Sequence, residues 1–134
     1  MPTGTAATVA RSYHQSQVHY LKKEVNYTDG ASAVVNVGIV PAGAIIIRAA
    51  IVVLTAFNAG TNNNIRVGVS GSDNGIMADV AATSAGVKIN TTIATAAAAT
   101  INPSADTTII ATLGLTGTAA SAGRAVIVVE YTNL

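Results

Sequence analysis

The chain has 134 residues, 10% of them charged, a net charge of +1 and no cysteine. That length suits one domain with a core of its own, the missing cysteines exclude disulfides and thiolate metal sites, and the absence of a basic cluster beyond Lys22-Lys23 disfavours phosphate neutralisation on nucleic acid. Hydrophobic residues reach 50% but aromatic residues only 4%, so the apolar mass is Ala, Val and Ile beside much Thr and Gly, a composition that favours strands and turns.

Residues 1–10 are small and polar, and residues 1–16 are expected to form an N-terminal arm, flexible or bound to a partner, ahead of a single domain over 17–134. The first ten lack the basic and apolar regions of a secretory leader. From Gln17 to Tyr27, Val18, Tyr20, Lys22 and Glu24 share one face, and His19, Leu21, Lys23, Val25 and Tyr27 the other. This predicts a strand, and its charges suit a sheet edge. Thr28-Asp29-Gly30 signals a turn. Ala33–Val40 reads as a strand that ends at the Pro41-Ala42-Gly43 turn. Ala44–Leu54 is the most β-branched stretch and is expected to be a central strand. It is also the longest apolar run, about half the roughly 20 residues of a membrane helix, and Arg48 interrupts it.

Thr55–Asn63 reads as a loop from which Phe57 plugs the core. Asn64–Ser70 alternates as a short strand, and Gly71–Gly75 reads as a turn. Ile76–Ala85 is either an irregular strand or one helical turn. In Gly86–Thr95, Val87, Ile89, Thr91 and Ile93 alternate with Lys88, Asn90 and Thr92, which predicts a strand with one polar face. Ala96–Thr100 has helical propensity, but Asn102-Pro103 just beyond favours a loop. Asp106–Leu115 is a strand and Thr116–Gly123 a small-residue loop. Arg124–Tyr131 sets Ala125, Ile127, Val129 and Tyr131 against Val126, Val128 and Glu130. About seven or eight strands with regularly spaced turns predict an all-β chain, an antiparallel β-sandwich that is jelly-roll-like. No repeat of fixed period supports a solenoid.

The chemistry-bearing residues do not converge in the sequence. His14 and His19 point to opposite faces of an extended chain, which favours surface or interface histidines over a metal site. Asp73 and Asp79 do not match a calcium loop and read as turn residues. Gly68, Gly71 and Gly75 lack the Lys-Ser/Thr of a phosphate loop. The six carboxylates are scattered and no Gly-x-Ser-x-Gly elbow occurs, so no enzyme activity, cofactor or metal is expected. Asp29 and Asp106 adjoin turns or strand starts, where Asp satisfies local backbone N–H groups. Glu130 can pair with Arg124 or with a neighbouring strand. Arg48, inside an apolar strand, either faces out at an edge or pairs across an interface; the second reading is favoured because charge is so scarce elsewhere.

So little charge leaves a bare surface poorly solvated, which suggests that partners cover part of it. One ordered set of segments goes beyond composition. It comprises Val37-Gly38-Ile39-Val40-Pro41-Ala42-Gly43-Ala44-Ile45-Ile46, then Thr55-Ala56-Phe57-Asn58-Ala59-Gly60-Thr61, then Ile65-Arg66-Val67-Gly68. The chain then closes with Ala119–Gly123 and Arg124-Ala125-Val126-Ile127-Val128-Val129-Glu130-Tyr131. Over Val34 to Tyr131 the chain resembles small structural proteins encoded by tailed bacteriophages.

That resemblance implies a β-sandwich, a virion location and contacts with capsid or tail proteins; it supplies no catalytic residues. The leading expectation is a capsid decoration (cement) protein, made in the host cytoplasm, that binds the major capsid protein lattice at the capsid surface. A homotrimer is favoured, and neither nucleic acid nor membrane is expected as a partner. The alternatives are a head- or tail-fibre module that binds a host receptor or glycan, and a neck or tail component. The scarcity of aromatic residues argues against a sugar platform. The expected partner contacts are Arg11, Tyr13, His14, Tyr20 and Arg48, since Tyr and Arg are enriched at interfaces.

Overall fold

Period-two alternation resolves into eight strands in a computed structural model that describes residues 17–89 and 98–134. One sheet has the order β1 (Val18–Asn26), β8 (Arg124–Thr132), β3 (Ile45–Thr55), β6 (Gly86–Ile89). The second has the order β2 (Val34–Val40), β7 (Thr107–Thr116), β4 (Asn62–Val69), β5 (Ser72–Ala81). Every pairing is antiparallel. Only β4 and β5 are consecutive within one sheet; every other connection crosses between sheets, which gives the antiparallel, jelly-roll-like sandwich expected from the sequence.

The core lies between the sheets. Val25, Ala49, Ile51, Ala125, Ile127 and Val129 come from the first sheet, and Val40, Ile65, Val67, Ile109 and Ala111 from the second; all are fully buried. Alternate residues of each strand therefore meet across the sandwich, and each larger aliphatic side chain contributes roughly 1.5–3 kcal/mol through burial. Branched and small side chains fill this space almost alone.

Phe57 is the exception. It sits in the β3–β4 loop, is 2% exposed, and closes one end of the sandwich. The loop is pinned on both sides of it. Phe57 N–H donates to the Ala82 carbonyl (2.9 Å), and Gly60 N–H to the Thr118 carbonyl (2.9 Å). The Asn58 side-chain oxygen accepts from Ser121 N–H (2.8 Å) and Ala122 N–H (3.0 Å). Buried Asn63 accepts from Ala59 N–H (2.7 Å) and donates to the Ala59 carbonyl (3.0 Å). Gly123, at φ +149°, leaves room for the ring: a Cβ there would overlap it. The Thr-Ala-Phe-Asn-x-Gly-Thr segment is thus a plug held by side-chain amides.

Four local expectations change. The turn assigned to Gly71–Gly75 is limited to Ser70-Gly71, and β5 already starts at Ser72. The ambiguous Ile76–Ala85 stretch is strand as far as Ala81. It reads poorly because β5 is bulged. From Ile65↔Val80 to Val67↔Met77, β5 advances three residues against two on β4, and from there to Val69↔Ser72 it advances five against two. Such insertions break the alternation, and they bring β5 so close to Gly68 that a Cβ there would collide with the Ser72 and Asp73 backbone. The strand expected over Gly86–Thr95 is observed at Gly86–Ile89, and its remainder lies outside the described residues. One helical turn, Ala98–Ile101, replaces part of the loop expected at Ala96–Thr100.

Phe57→Ala removes the largest side chain at this end of the core. It should cost about 3–5 kcal/mol, read as a lower urea midpoint with an unchanged slope.

Candidate interaction surface

The sheet faces that point away from the core offer the chain's usable surface. On the first sheet the outward residues line up in rows across the strands. One row is Lys22, Val128, Ala50, Ile89, and the next is Glu24, Val126, Val52, Val87. The middle of this face is therefore apolar on β8, β3 and β6. Val87 is 59% and Ile89 49% exposed.

Charged groups border this strip and are mostly paired. At one end is the row Tyr20, Glu130, Arg48. The Arg48 guanidinium donates to both Glu130 carboxylate oxygens, at 2.8–3.1 Å. A bulge at Ile47 makes this possible: Ile46 opposes Tyr131 and Arg48 opposes Glu130, so one extra residue shifts Arg48 from the core side to the outside. At the other end Arg124 lies 3.9 Å from Glu24. Hydrogen bonding to Glu130, then its charge, raises the Arg48 pKa above its ordinary value. The raised value keeps the guanidinium charged up to strong alkali, so its own side of the pair is not what pH removes.

The outer face of the second sheet is different. Arg66 donates to Asp73 (2.7 Å) and to Asp79 (3.2 Å), and these bonds raise its pKa. The two aspartates expected as turn residues thus lie on β5 and clamp an arginine of β4. Thr112, 6% exposed, opposes Val34 and Arg66, and its hydroxyl has no hydrogen-bond partner.

Among the expected contact residues, the structure brings Tyr20 and Arg48 onto one row of the first sheet. The partner that Arg48 requires is Glu130 of the same chain, so its charge does not by itself demand an interface. Arg11, Tyr13 and His14 lie outside the described residues. His19 stacks on Tyr131, with ring centroids 5.5 Å apart. Asp29 accepts from Asn26 N–H three residues away (2.8 Å), the local role expected of it. Asp106 instead accepts from distant Ala42 N–H (2.9 Å), tying the β2–β3 turn to the start of β7.

The apolar strip went unnoticed as a site in the sequence. In β6, Val87 and Ile89 face outward and Lys88 opposes core residue Ile51, because pairing with β3 sets the register. A usable signal did exist: Ala50–Val53 and Val126–Val129 are apolar on both parities, as in strands covered on both faces.

No group of three or more His, Cys, Asp or Glu side chains that could hold a metal ion occurs among the described residues. A cavity of about 200 Å³ beside Tyr27, Ala59, Leu115 and Thr118 is smaller than the roughly 300–1,000 Å³ of ligand pockets.

No protein-family model and no curated protein matches the chain. Solved structures with the same fold do. A chain of the cyanophage Pam1 capsid asymmetric unit superposes with a TM-score of 0.67 at 18% identity, over 100% of both chains. A chain of the capsid of Ralstonia phage GP4 gives 0.64 at 14% identity, over 88% of this chain and 85% of that one. A chain of the acid-stable capsid of Helicobacter pylori bacteriophage KHP30 gives 0.60 at 14%, over 85% and 86%. The sandwich is therefore a fold found in phage capsid structures.

Arg66→Met should lower stability by about 1 kcal/mol or less, and the loss should shrink when urea unfolding is repeated in 1 M salt.

Proposed function

We propose that this protein is a capsid decoration protein, which binds the head lattice of a tailed phage at its surface and stabilises the shell. The likeness along the whole length of the chain in the cyanophage Pam1 capsid carries this reading: the counterpart there is a sandwich of this size, matched end to end. The low charge and the apolar outer strip support it, since both favour a surface that spends its working life against protein.

The mechanism is mass action. A protein that binds the assembled lattice and not its dissociated subunits lowers the free energy of the assembled state by RT ln(1 + [L]/Kd) at each site. Modest affinity at each site is enough when sites repeat over a shell. Trimers would bridge neighbouring capsid subunits, and the arm over 1–16, with Arg11, Tyr13 and His14, would add contact beyond the sandwich. Arms of this kind order on binding.

The copy number in purified virions, measured by quantitative mass spectrometry against the major capsid protein, tests this role. A ratio near one copy per capsid subunit is expected. A handful of copies would place the protein in the neck, tail or a fibre, and absence from the particle would overturn the virion role. Deleting residues 1–16 should leave the sandwich folded, by circular dichroism and thermal unfolding, and should weaken attachment to capsids. Loss of folding would make the arm part of the domain.

A further inference from the structure

Resting on that reading, we propose that the outer face of the first sheet is the surface that seats on the capsid subunit. The subunit presents there an uncharged apolar patch with a carboxylate at its margin, opposite Lys22.

The distribution of exposed apolar side chains selects this face. Among the described residues, nine large hydrophobic side chains are exposed. Six of them, Val18, Tyr20, Ile47, Leu54, Val87 and Ile89, belong to strands of the first sheet, against two, Val34 and Ile39, in the second. The second sheet instead carries the Arg66 clamp on its outer face. A contiguous apolar patch on one side of a small protein marks an interaction site.

Charge then defines the occupant. Arg48 is satisfied by Glu130 and Arg124 faces Glu24, so the border contributes no net charge that a partner must neutralise. Paired charges at a rim also cost less to bring into contact than bare ones. Lys22 stands in the row with Val128, Ala50 and Ile89; among the described residues it has no ion pair and is the one cation of this face left for a partner's carboxylate.

Area argues against a second copy as the occupant. Two rows across four strands span roughly 20 by 15 Å, or about 300 Å², against about 800 Å² per partner in a standard stable interface. Two free copies would not hold through this strip alone. A capsid subunit gains a second contact from the same place, because residues 1–16 join the domain at β1, an edge strand of this sheet. Sixteen residues reach up to about 50 Å when extended, so face and arm can engage one lattice together, each raising the effective concentration of the other.

The test uses capsids lacking this protein, titrated with the purified full-length chain; bound copies are measured after sedimentation. The double variant Val87→Lys/Ile89→Lys should raise the half-saturating concentration at least tenfold, and Lys22→Glu severalfold. Val34→Lys and Ile39→Lys on the second sheet should bind within twofold of the native chain. Native-like binding by the first-sheet variants, or loss of binding confined to the second-sheet variants, overturns the assignment of the face and leaves the decoration role standing. Failure of the native chain to bind capsids at all overturns the decoration role itself. If the double variant melts more than a few degrees below the native chain, a photoreactive phenylalanine analogue in place of Tyr20 decides. It should crosslink to the capsid subunit where the same analogue in place of Ile39 does not, and the reverse pattern overturns the assignment.

Discussion

β8 runs between β1 and β3, and the first sheet depends on it. Its inward residues Ala125, Ile127 and Val129 are fully buried. The alternation that buries them turns Val126, Val128 and Glu130 outward, so one strand builds both the core and the apolar outer strip. A register slip of a single residue would exchange the two sets and put Glu130 into the core. The pairing Val18↔Thr132 joins the two ends of the domain. The sheet therefore forms only when distant segments meet, at the entropic cost that non-local strand pairing carries.

The rest of the structure accommodates that alternation where the sequence does not supply it. In β3 the bulge at Ile47 lets an apolar strand carry an arginine without burying it, and delivers that arginine to Glu130. In β5 larger bulges wrap the strand over Gly68 and bring Asp73 and Asp79 to Arg66. Both arginines that interrupt the apolar strands β3 and β4 thus end outside the core with carboxylate partners, which avoids the several kcal/mol that a buried unpaired charge costs. At the end of the sandwich the scarcity of aromatics is met by one ring, Phe57, locked by the amides of Asn58 and Asn63.

These features give a scaffold whose two outer faces differ. One is apolar with a border of paired charges, and the other carries a clamp of one arginine between two carboxylates. A jelly-roll-like sandwich by itself serves many functions. For this chain the two faces differ in polarity: exposed large apolar side chains concentrate on the first sheet, and the second carries charged groups that water can solvate.

The sequence by itself determined the class of fold and most of its elements. Alternation over Val18–Asn26, Arg124–Thr132 and the valine-rich middle can be satisfied only by strands with one buried face, and the Phe57 plug followed from a lone aromatic in a polar loop. The tertiary structure alone decided the strand order, the bulges and the orientation of β6. Each depends on which residue opposes which across strands far apart in the chain, and alternation within one strand cannot say which of its two faces will meet the core. For that reason Tyr20 and Arg48 were legible as candidates one at a time. Their common row, the closure of Arg48 by Glu130 and the apolar strip beside them appeared only once β1, β8, β3 and β6 were in register.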